Sequence, residues 1–387
     1  MKKQRLHLLP CLILACGCHA PSLPKPGEPL ADLTPAQLAQ FRAGKAVFQR
    51  EFVPENGLGP LFNSVSCAEC HEKPALGGAG DEIEVHATRF TSPRSCDSLF
   101  QQGGPVIQQK ATPLLQAKGV QQEQVPAAAT GQARRSSPAL FGFGLIDAIP
   151  DATILAHEDP TDANHDGIRG HANRTVDGRV GRFGRKAAVA TLFEFIVGAF
   201  PQEMGVTTPQ SPLEETVNGT PVPPDTDPAP DPEITMDDLE KVDAFTRFLA
   251  LPPPVDGDYY DHERIRRGKE LFTSLKCAVC HVPEMTTGTN AVKALDRKPV
   301  KLYSDLLLHD MGPGLADICM EQAKPWEFRT EILMGLRLRD HFLHDGSART
   351  VREAIERHDG EAQFSRDKFN VLSEDDQAAL LKFLETI

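Results

Sequence analysis

The stretches Cys67-Ala68-Glu69-Cys70-His71 and Cys277-Ala278-Val279-Cys280-His281 are two copies of the pattern C-x-x-C-H. Two cysteines at this spacing can reach both vinyl groups of one porphyrin, and the adjacent histidine then lies under the iron as an axial ligand. A zinc site would need a second Cys/His pair near each motif, and the sequence has none. A thioredoxin-like redox pair does not require a histidine after the second cysteine in both copies. The motifs therefore predict two covalently bound haem c groups, held by Cys67, Cys70, His71, Cys277, Cys280 and His281.

A second repeat precedes each motif. Residues 42–48 and 266–272 both read R-x-G-K-x-x-F. Each lies on a predicted helix, and the first helix begins at the capping box formed by Thr34 and Gln37. A helix that leads into C-x-x-C-H is typical of small cytochrome c domains. Because sustained period-2 alternation is scarce, the predicted fold class is mainly α, with two cytochrome c-like domains that each bind one haem.

Residues 207–235 are rich in Pro, Thr and acidic side chains and lack apolar periodicity. Such a composition indicates a linker or a long surface loop. It divides the chain into an expected N-terminal haem domain, 34–206, and an expected C-terminal haem domain, 236–387.

The composition excludes some functions. The 387 residues include 41 Lys and Arg against 54 Asp and Glu, which gives a formal net charge of −13. No basic run offsets this charge, so nucleic acid is excluded as a main partner. The hydrophobic share of 40% is enough for real cores and excludes a disordered chain.

The N-terminus has a basic segment, residues 1–5, then an apolar stretch over 6–15 and then Cys16-Gly17-Cys18. The apolar stretch is too short to span a membrane, so residues 1–18 are predicted to be a signal peptide. The pattern resembles a bacterial lipobox with Cys16 or Cys18 acylated, and the alternative is an ordinary signal peptide cleaved near Ala20. The Pro-rich residues 19–33 are predicted to be a tether. The expected location is the periplasm, with a lipid anchor in the outer membrane.

Several longer motifs resemble the bacterial dihaem oxidoreductase family, whose members are described as thiol oxidoreductases or as peroxidase-like, and more distantly the dihaem cytochrome c peroxidase superfamily. These motifs are residues 57–63 (GLGPLFN), 66–71 (SCAECH), 141–150 (FGFGLIDAIP), 181–184 (GRFG), 309–315 (HDMGPGL) and 344–349 (HDGSAR). The resemblance covers nearly the whole mature chain apart from the Pro-rich stretch. Two departures are Arg185 and Met334, which occupy positions where the family usually has Trp, and Trp326 cannot be assumed to substitute.

The sixth ligand of the C-terminal iron is expected to be His358. Thr350 and Glu353 form a capping box, and the helix they open would place Val351, Ala354, Ile355 and His358 on one buried face. The segment also resembles the superfamily region that supplies an axial ligand to the second haem. Met311 is the alternative ligand, and a core histidine bonded to a backbone carbonyl is the alternative role of His358.

No sixth ligand is assigned to the N-terminal iron, so chemistry is expected there. Glu203 matches the Glu of the distal pattern of the peroxidases and is the candidate catalytic residue, although it could also be a solvated carboxylate at a helix end. The family's Gln and Pro positions fall on Phe193 and Val197, which cannot transfer a proton. Only part of the peroxidase apparatus is therefore expected.

Two further features leave alternatives open. Asp162, Asn164 and Asp166 match the opening of a calcium loop, with Gly167 at the turn, but the twelfth position is Asn173 rather than Glu. The alternative to calcium is an Asx-rich turn. Cys96 and Cys319 could form a disulfide in an oxidising compartment or remain two buried thiols.

The expected function is that of an exported dihaem c-type oxidoreductase. The C-terminal haem would receive electrons from a small cytochrome c or a cupredoxin, and the N-terminal haem would react with a small oxidant or substrate. The alternative is a non-enzymatic dihaem electron carrier with both irons six-coordinate. A third interpretation, thiol oxidation, depends on the family description alone.

Overall fold

The computed structural model describes residues 25–92, 95–252 and 261–387. The predicted signal peptide, including Cys16, Cys18 and the alternative cleavage site at Ala20, lies outside the described residues. Among the described residues, no helix is both long and apolar enough to cross a membrane.

The described part of the chain contains short helices and short strands that alternate irregularly. The helices are α1 (Pro35–Phe48), α2 (Cys67–Cys70), α3 (Pro113–Gln116), α4 (Phe143–Asp147), α5 (Asp151–Leu155), α6 (Leu192–Met204), α7 (Met236–Arg247), α8 (His262–Ser274), α9 (Cys277–Cys280), α10 (Val351–Glu356), α11 (Gln363–Asn370) and α12 (Glu374–Leu384). The strands are β1 (Leu61–Phe62), β2 (Ile83–Ser92), β3 (Ser95–Asp97), β4 (Val106–Ile107), β5 (Lys110–Ala111), β6 (Gly131–Ser136), β7 (Thr216–Val217), β8 (Thr220–Pro221), β9 (Met285–Thr286), β10 (Pro299–Val300), β11 (Leu308–Asp310) and β12 (Glu327–Arg329).

The mainly α prediction is not confirmed, because helix makes up 32% of the structure and strand 15%. The largest sheet has β2 at its centre, paired antiparallel with β3, β4 and β6. Val85 of β2 faces Ile107 on one side and Arg134 on the other. The partner strands are two to six residues long. Strands this short show too little alternation to be recognised in a sequence.

The same helix-pair arrangement occurs twice in the fold, once with each R-x-G-K-x-x-F helix. Helix α1 crosses α7, and α8 crosses α12. A Cβ atom built on Gly44 of α1 would lie 1.8 Å from the carbonyl oxygen of Lys241, and one on Gly268 of α8 would lie 2.1 Å from that of Ala379. Both contacts are far inside van der Waals distance, so only glycine permits either crossing. The glycine of the R-x-G-K-x-x-F repeat therefore has the same role in both halves.

Helix α7 belongs by its packing to the first half of the chain. The Phe245 ring lies 5.1 Å from Phe41 and 4.9 Å from Phe48, measured between ring centroids. Residues 34–206 thus share a core with a helix that follows the Pro-rich stretch 207–235. The organisation into two domains, with the second beginning at residue 236, is not confirmed.

The described part of the predicted tether contacts the body of the protein. The amide of Leu30 donates to the carbonyl of Phe248 at 2.8 Å, and the amide of Ala250 donates to the carbonyl of Glu28 at 2.9 Å. Residues 28–30 therefore run beside the segment that follows α7.

Cys96 and Cys319 form a disulfide, with Cα atoms 5.7 Å apart. Cys96 lies on β3, and Cys319 is 223 residues further along the chain. The bond therefore joins the sheet of the first half to the second half. Of the two alternatives for these cysteines, the structure has the disulfide.

Candidate functional site

The first C-x-x-C-H motif is a single helical turn, α2. The Ser66 side chain caps this turn by accepting from the Glu69 amide at 3.2 Å. The Nδ1 atom of His71 lies 2.9 Å from the carbonyl oxygen of Pro138 and 3.1 Å from that of Gly78. Because carbonyls only accept, Nδ1 carries the proton, and Nε2 remains available to a metal.

The second motif repeats this arrangement. Nδ1 of His281 donates to the carbonyl of Tyr303 at 3.0 Å. The ring of Phe272, the last residue of the repeat on α8, lies 6.4 Å from the His281 ring, and Phe48 lies 6.1 Å from His71. Burial lowers the pKa of His281 to about 4, so the imidazole is neutral, as an iron ligand must be.

The four motif cysteines are free of disulfides. Burial raises the pKa of Cys67, Cys70 and Cys277 to about 12, and it also raises the pKa of Cys280. A thioredoxin-like pair needs the opposite shift, because the thiolate is the nucleophile. The four thiols therefore lack the environment that a disulfide-exchanging pair needs.

A cavity of about 230 Å³ lies against the second motif. It is bordered by Cys277, Cys280 and His281, and by both predicted sixth ligands, Met311 and His358. The structure thus brings together every residue that the sequence assigned to the C-terminal iron.

His358 lies just beyond the helix that was expected to carry it, because α10 ends at Glu356. Its side chain nevertheless lines the cavity beside Val351, Ala354 and Ile355, the face predicted from the periodicity. Nδ1 of His358 donates to the carbonyl of Ala354 at 2.7 Å. The bond to a carbonyl foreseen as the alternative is therefore present, and it leaves Nε2 available in the cavity.

His309 is a buried group whose role the sequence did not reveal. Its Nε2 lies 2.7 Å from Asp305, and its Nδ1 lies 2.8 Å from Glu361 and 3.6 Å from the Cys280 sulfur. Burial opposes the charge, but Cys280 and Asp305 raise the pKa of His309 well above its usual value. Both ring nitrogens are engaged, so His309 supports the motif rather than offering a ligand.

Near the first motif, Glu203 meets a second carboxylate, that of Glu84. Glu203 is near the end of α6, and its Oε2 atom is buried without a hydrogen-bond partner. Burial and the neighbouring Glu84 raise the pKa of Glu203 well above its usual range.

Glu84 lies on β2 and takes the opposite charge state. Burial acts to raise its pKa, but the hydrogen bond from His86, at 3.1 Å, holds the pKa of Glu84 below its usual value. Glu203 is therefore the protonated member of the pair and Glu84 the ionised one. The sequence missed Glu84 because its register on a strand was not recognised.

Phe193 and Val197 lie on the same helix as Glu203. Val197 is buried in the first core, and Phe193 packs against that core. Neither apolar side chain can transfer a proton.

The loop with Asp162, Asn164 and Asp166 is held by its own side chains. Asp162 accepts from the Gly167 amide at 3.1 Å, Asn164 from the Asp166 amide at 2.9 Å, and Asp166 from the Ile168 amide at 2.9 Å. The bonds of Asn164 and Asp166, each to the amide two residues on, are Asx-turn bonds. The loop also contacts the second motif, since Lys276 donates to the Asp166 carbonyl at 3.2 Å. Calcium binding stays a prediction.

The two residues that replace a family Trp, Arg185 and Met334, lie in different parts of the structure. Arg185 lines the cavity at the second motif. Met334 packs against the first core, and Trp326 stacks edge-on against Phe90 at 5.9 Å.

Two backbone segments separate the two motifs. Ala79 and Gly80 of one segment, and 136–139 of the other, line the cavity at the second motif. The same two segments supply the carbonyls that accept from His71. The imidazole of the first motif is therefore hydrogen-bonded to a residue, Pro138, that lines the cavity at the second motif.

The chain was compared with known protein families, protein sequences and solved structures. The family model described as "Di-haem oxidoreductase, putative peroxidase" matches residues 129–387. No curated protein sequence matches the chain.

Several solved structures resemble the chain at low sequence identity. Hydrazine synthase from Kuenenia stuttgartiensis is 12% identical over 100% of both chains, with a TM-score of 0.42. A MauG-like protein associated with microbial copper homeostasis is 17% identical over 95% of this chain and 94% of its own, with a TM-score of 0.42. The diheme peroxidase BthA from Burkholderia thailandensis is 16% identical over 90% of this chain and 85% of its own, with a TM-score of 0.42. Since the family model covers well over half of the sequence, the chain belongs to the di-haem oxidoreductase family.

Proposed function

We propose that the protein is an exported dihaem c-type oxidoreductase in which each C-x-x-C-H motif holds one haem by two thioether bonds. The observation that carries this proposal is the matched pair of imidazoles. His71 and His281 each donate Nδ1–H to a backbone carbonyl and keep Nε2 available beside two free thiols. When bound, each haem supplies one-electron redox chemistry.

Each haem would lie in a cytochrome c-like unit built on one helix pair. The first unit contains α1, α2 and α7, and the second contains α8, α9 and α12. The support is the equivalent position of Gly44 and Gly268 at the two crossings and of Phe48 and Phe272 beside the two imidazoles.

The two sites would divide the work. His358, with Met311 as the alternative, would close the C-terminal site to outside ligands and suit it to electron transfer. A small cytochrome c or a cupredoxin is the proposed donor at that site. Glu203 would hold the proton needed by a small oxidant at the N-terminal site, because burial and Glu84 keep it in the acid form.

A dihaem electron carrier is the second candidate. It is favoured by one observation, the apolar Phe193 and Val197 at the positions where the peroxidase pattern has Gln and Pro. A carrier would need no proton donor beside the first iron.

Spectra of the holoprotein distinguish the two candidates. We expect an intact mass two haems above the polypeptide, one low-spin iron, and one iron that binds cyanide.

Two variants test the sixth ligand of the C-terminal iron. The variant His358→Gly should open this iron to outside ligands and leave the spectrum of the other haem unchanged, whereas Met311→Leu should change the spectrum of neither haem. A closed C-terminal iron in His358→Gly together with an opened one in Met311→Leu would assign Met311 as the ligand. Two low-spin irons that ignore cyanide in both redox states would establish the carrier.

The proposed location is the periplasm, with a lipid anchor at Cys16 or Cys18 in the outer membrane. The disulfide between Cys96 and Cys319 supports an oxidising compartment. Acylation should make the protein partition into detergent, and replacing both cysteines should release it. A soluble product whose N-terminus lies near Ala20 would contradict the anchor.

A further inference from the structure

Three guanidinium groups surround one carboxylate in the wall of the cavity at the second motif. Glu331 accepts from Arg185 at 2.6 Å and from Arg339 at 2.7 Å, and Arg329 lies 3.5 Å away. All four side chains border the same cavity as Cys277 and His281.

The charges in this cluster do not balance. Burial acts to raise the pKa of Glu331, but Arg185, Arg339 and Arg329 hold it well below its usual range, so the carboxylate is ionised. Burial lowers the pKa of Arg329 to about 10, which still leaves it charged at neutral pH. One carboxylate therefore faces three cations, and an excess of two positive charges remains.

The other acids near this cluster already have histidine partners. Among the described residues that line the cavity, the other acids are Asp340 and Glu361. Asp340 is paired with His341 at 2.6 Å, and Glu361 shares His309 with Asp305, at 2.8 and 2.7 Å. The Asp305 carboxylate also acts on Arg329, which leaves Arg185 and Arg339 with Glu331 as their shared carboxylate. Buried charge without a full set of partners is costly, so the cluster favours a bound anion.

The guanidinium groups also have unused donors. The Nε atoms of Arg185 and Arg339 are both buried without a hydrogen-bond partner. Their Nη2 atoms donate to the carbonyls of Ser136 and Ile332 at 3.2 and 2.7 Å, which fixes the two planes. An unsatisfied buried donor is costly, and more so when it is charged, unless a ligand satisfies it.

We propose that Arg185 and Arg339 bind the two propionate carboxylates of the C-terminal haem, and that the cluster raises the reduction potential of that haem. This inference rests on the proposed function, in which Cys277 and Cys280 hold the haem. A haem carries two carboxylates, one for each guanidinium that has an unused Nε donor, and guanidinium is the side chain best shaped to bind carboxylate. The positive cluster favours the reduced iron because reduction removes one positive charge from the haem.

The test compares Arg185→Gln and Arg339→Gln with the wild-type holoprotein. The measurements are the midpoint potential of each haem, by spectroelectrochemical titration, and the propionate bending bands of the resonance Raman spectrum. In each variant the reduction equilibrium of the C-terminal haem should fall about tenfold, which is about 59 mV for one electron. Its propionate bands should shift, while the potential of the N-terminal haem stays unchanged.

Two further variants separate contact from charge. Arg185→Lys keeps the positive charge but loses the planar guanidinium with its paired donors. The propionate bands should therefore shift, while the midpoint potential stays close to that of the wild type. Arg366→Gln removes a charge from the same cavity wall, but Arg366 is paired with Asp359 at 3.0 Å and with Asp367 at 2.9 Å. The propionate bands of the Arg366→Gln variant should therefore match those of the wild type.

The inference is overturned if both glutamine variants keep two haems by mass and show the wild-type bands and potentials. Wild-type protein that lacks a haem at the second motif is a different result, since it refutes the proposed function itself. If Arg185→Gln does not fold, as judged by circular dichroism and haem content, Arg339→Gln and Arg185→Lys decide the question on the same bands.

Discussion

At the scale of single residues, the chemistry depends on which partner each buried group meets. Glu203 and Glu84 are the same residue type, yet they differ in charge. Glu203 has a buried oxygen without a partner, whereas Glu84 has His86 at 3.1 Å. The pair therefore keeps one proton on Glu203, the state that a proton donor needs.

The first prediction concerns this proton. Glu203→Gln should slow peroxide turnover about a hundredfold, since general acid–base catalysis contributes on that order. In the wild type, turnover should fall as the pH rises through the raised pKa of Glu203, because the acid form is lost there. Stopped-flow or steady-state peroxide consumption measures both effects.

The control for this prediction is Glu194→Gln. Glu194 lies on the same helix, but it is exposed and bonded to Arg179 at 2.7 Å. Turnover in this variant should match the wild type. Equal rates in Glu203→Gln and Glu194→Gln would remove Glu203 from the reaction.

At the scale of elements, the second prediction concerns the two helix crossings. Gly44→Ala and Gly268→Ala each place a methyl group against the backbone of the partner helix. The gain in helix propensity is about 1 kcal/mol, but overpacking against a carbonyl that cannot rotate away costs about 1–3 kcal/mol. Each variant should therefore lower the free energy of unfolding and reduce the occupancy of the haem beside its own crossing.

Gly314→Ala is the matched control, because a Cβ atom at Gly314 meets nothing within 4 Å. Denaturant titrations of all three variants, with haem content measured by absorbance, make the comparison. Should Gly44→Ala unfold at the same denaturant concentration as Gly314→Ala, the crossing does not need its glycine.

At the scale of the whole molecule, the third prediction concerns the disulfide. Cys96 and Cys319 close a loop that spans 223 residues. Replacing both by serine should lower the free energy of unfolding by about 2–5 kcal/mol, because the unfolded chain is no longer constrained. Both haems should remain attached, since the C-x-x-C-H cysteines are separate from this bond.

The measurement is the denaturant midpoint of the serine variant and of the wild type with and without reductant. Reduced wild type should match the variant. An unchanged midpoint in both cases would show that the link between the halves does not contribute to stability.

The sequence by itself determined the local chemistry of this protein. The two C-x-x-C-H motifs, their histidines and the R-x-G-K-x-x-F repeat are visible because their spacing is set within one or two helical turns. The face that carries Val351, Ala354, Ile355 and His358 was predictable for the same reason, even though α10 ends before His358.

Only the tertiary structure decided which distant segments meet. It paired α1 with α7 across the Pro-rich stretch, joined Cys96 to Cys319, placed Glu84 beside Glu203, and gathered Arg185, Arg329 and Arg339 around Glu331. These partners are far apart in the chain or lie on short strands. Their contacts depend on the packing of whole elements, and no local periodicity records that packing.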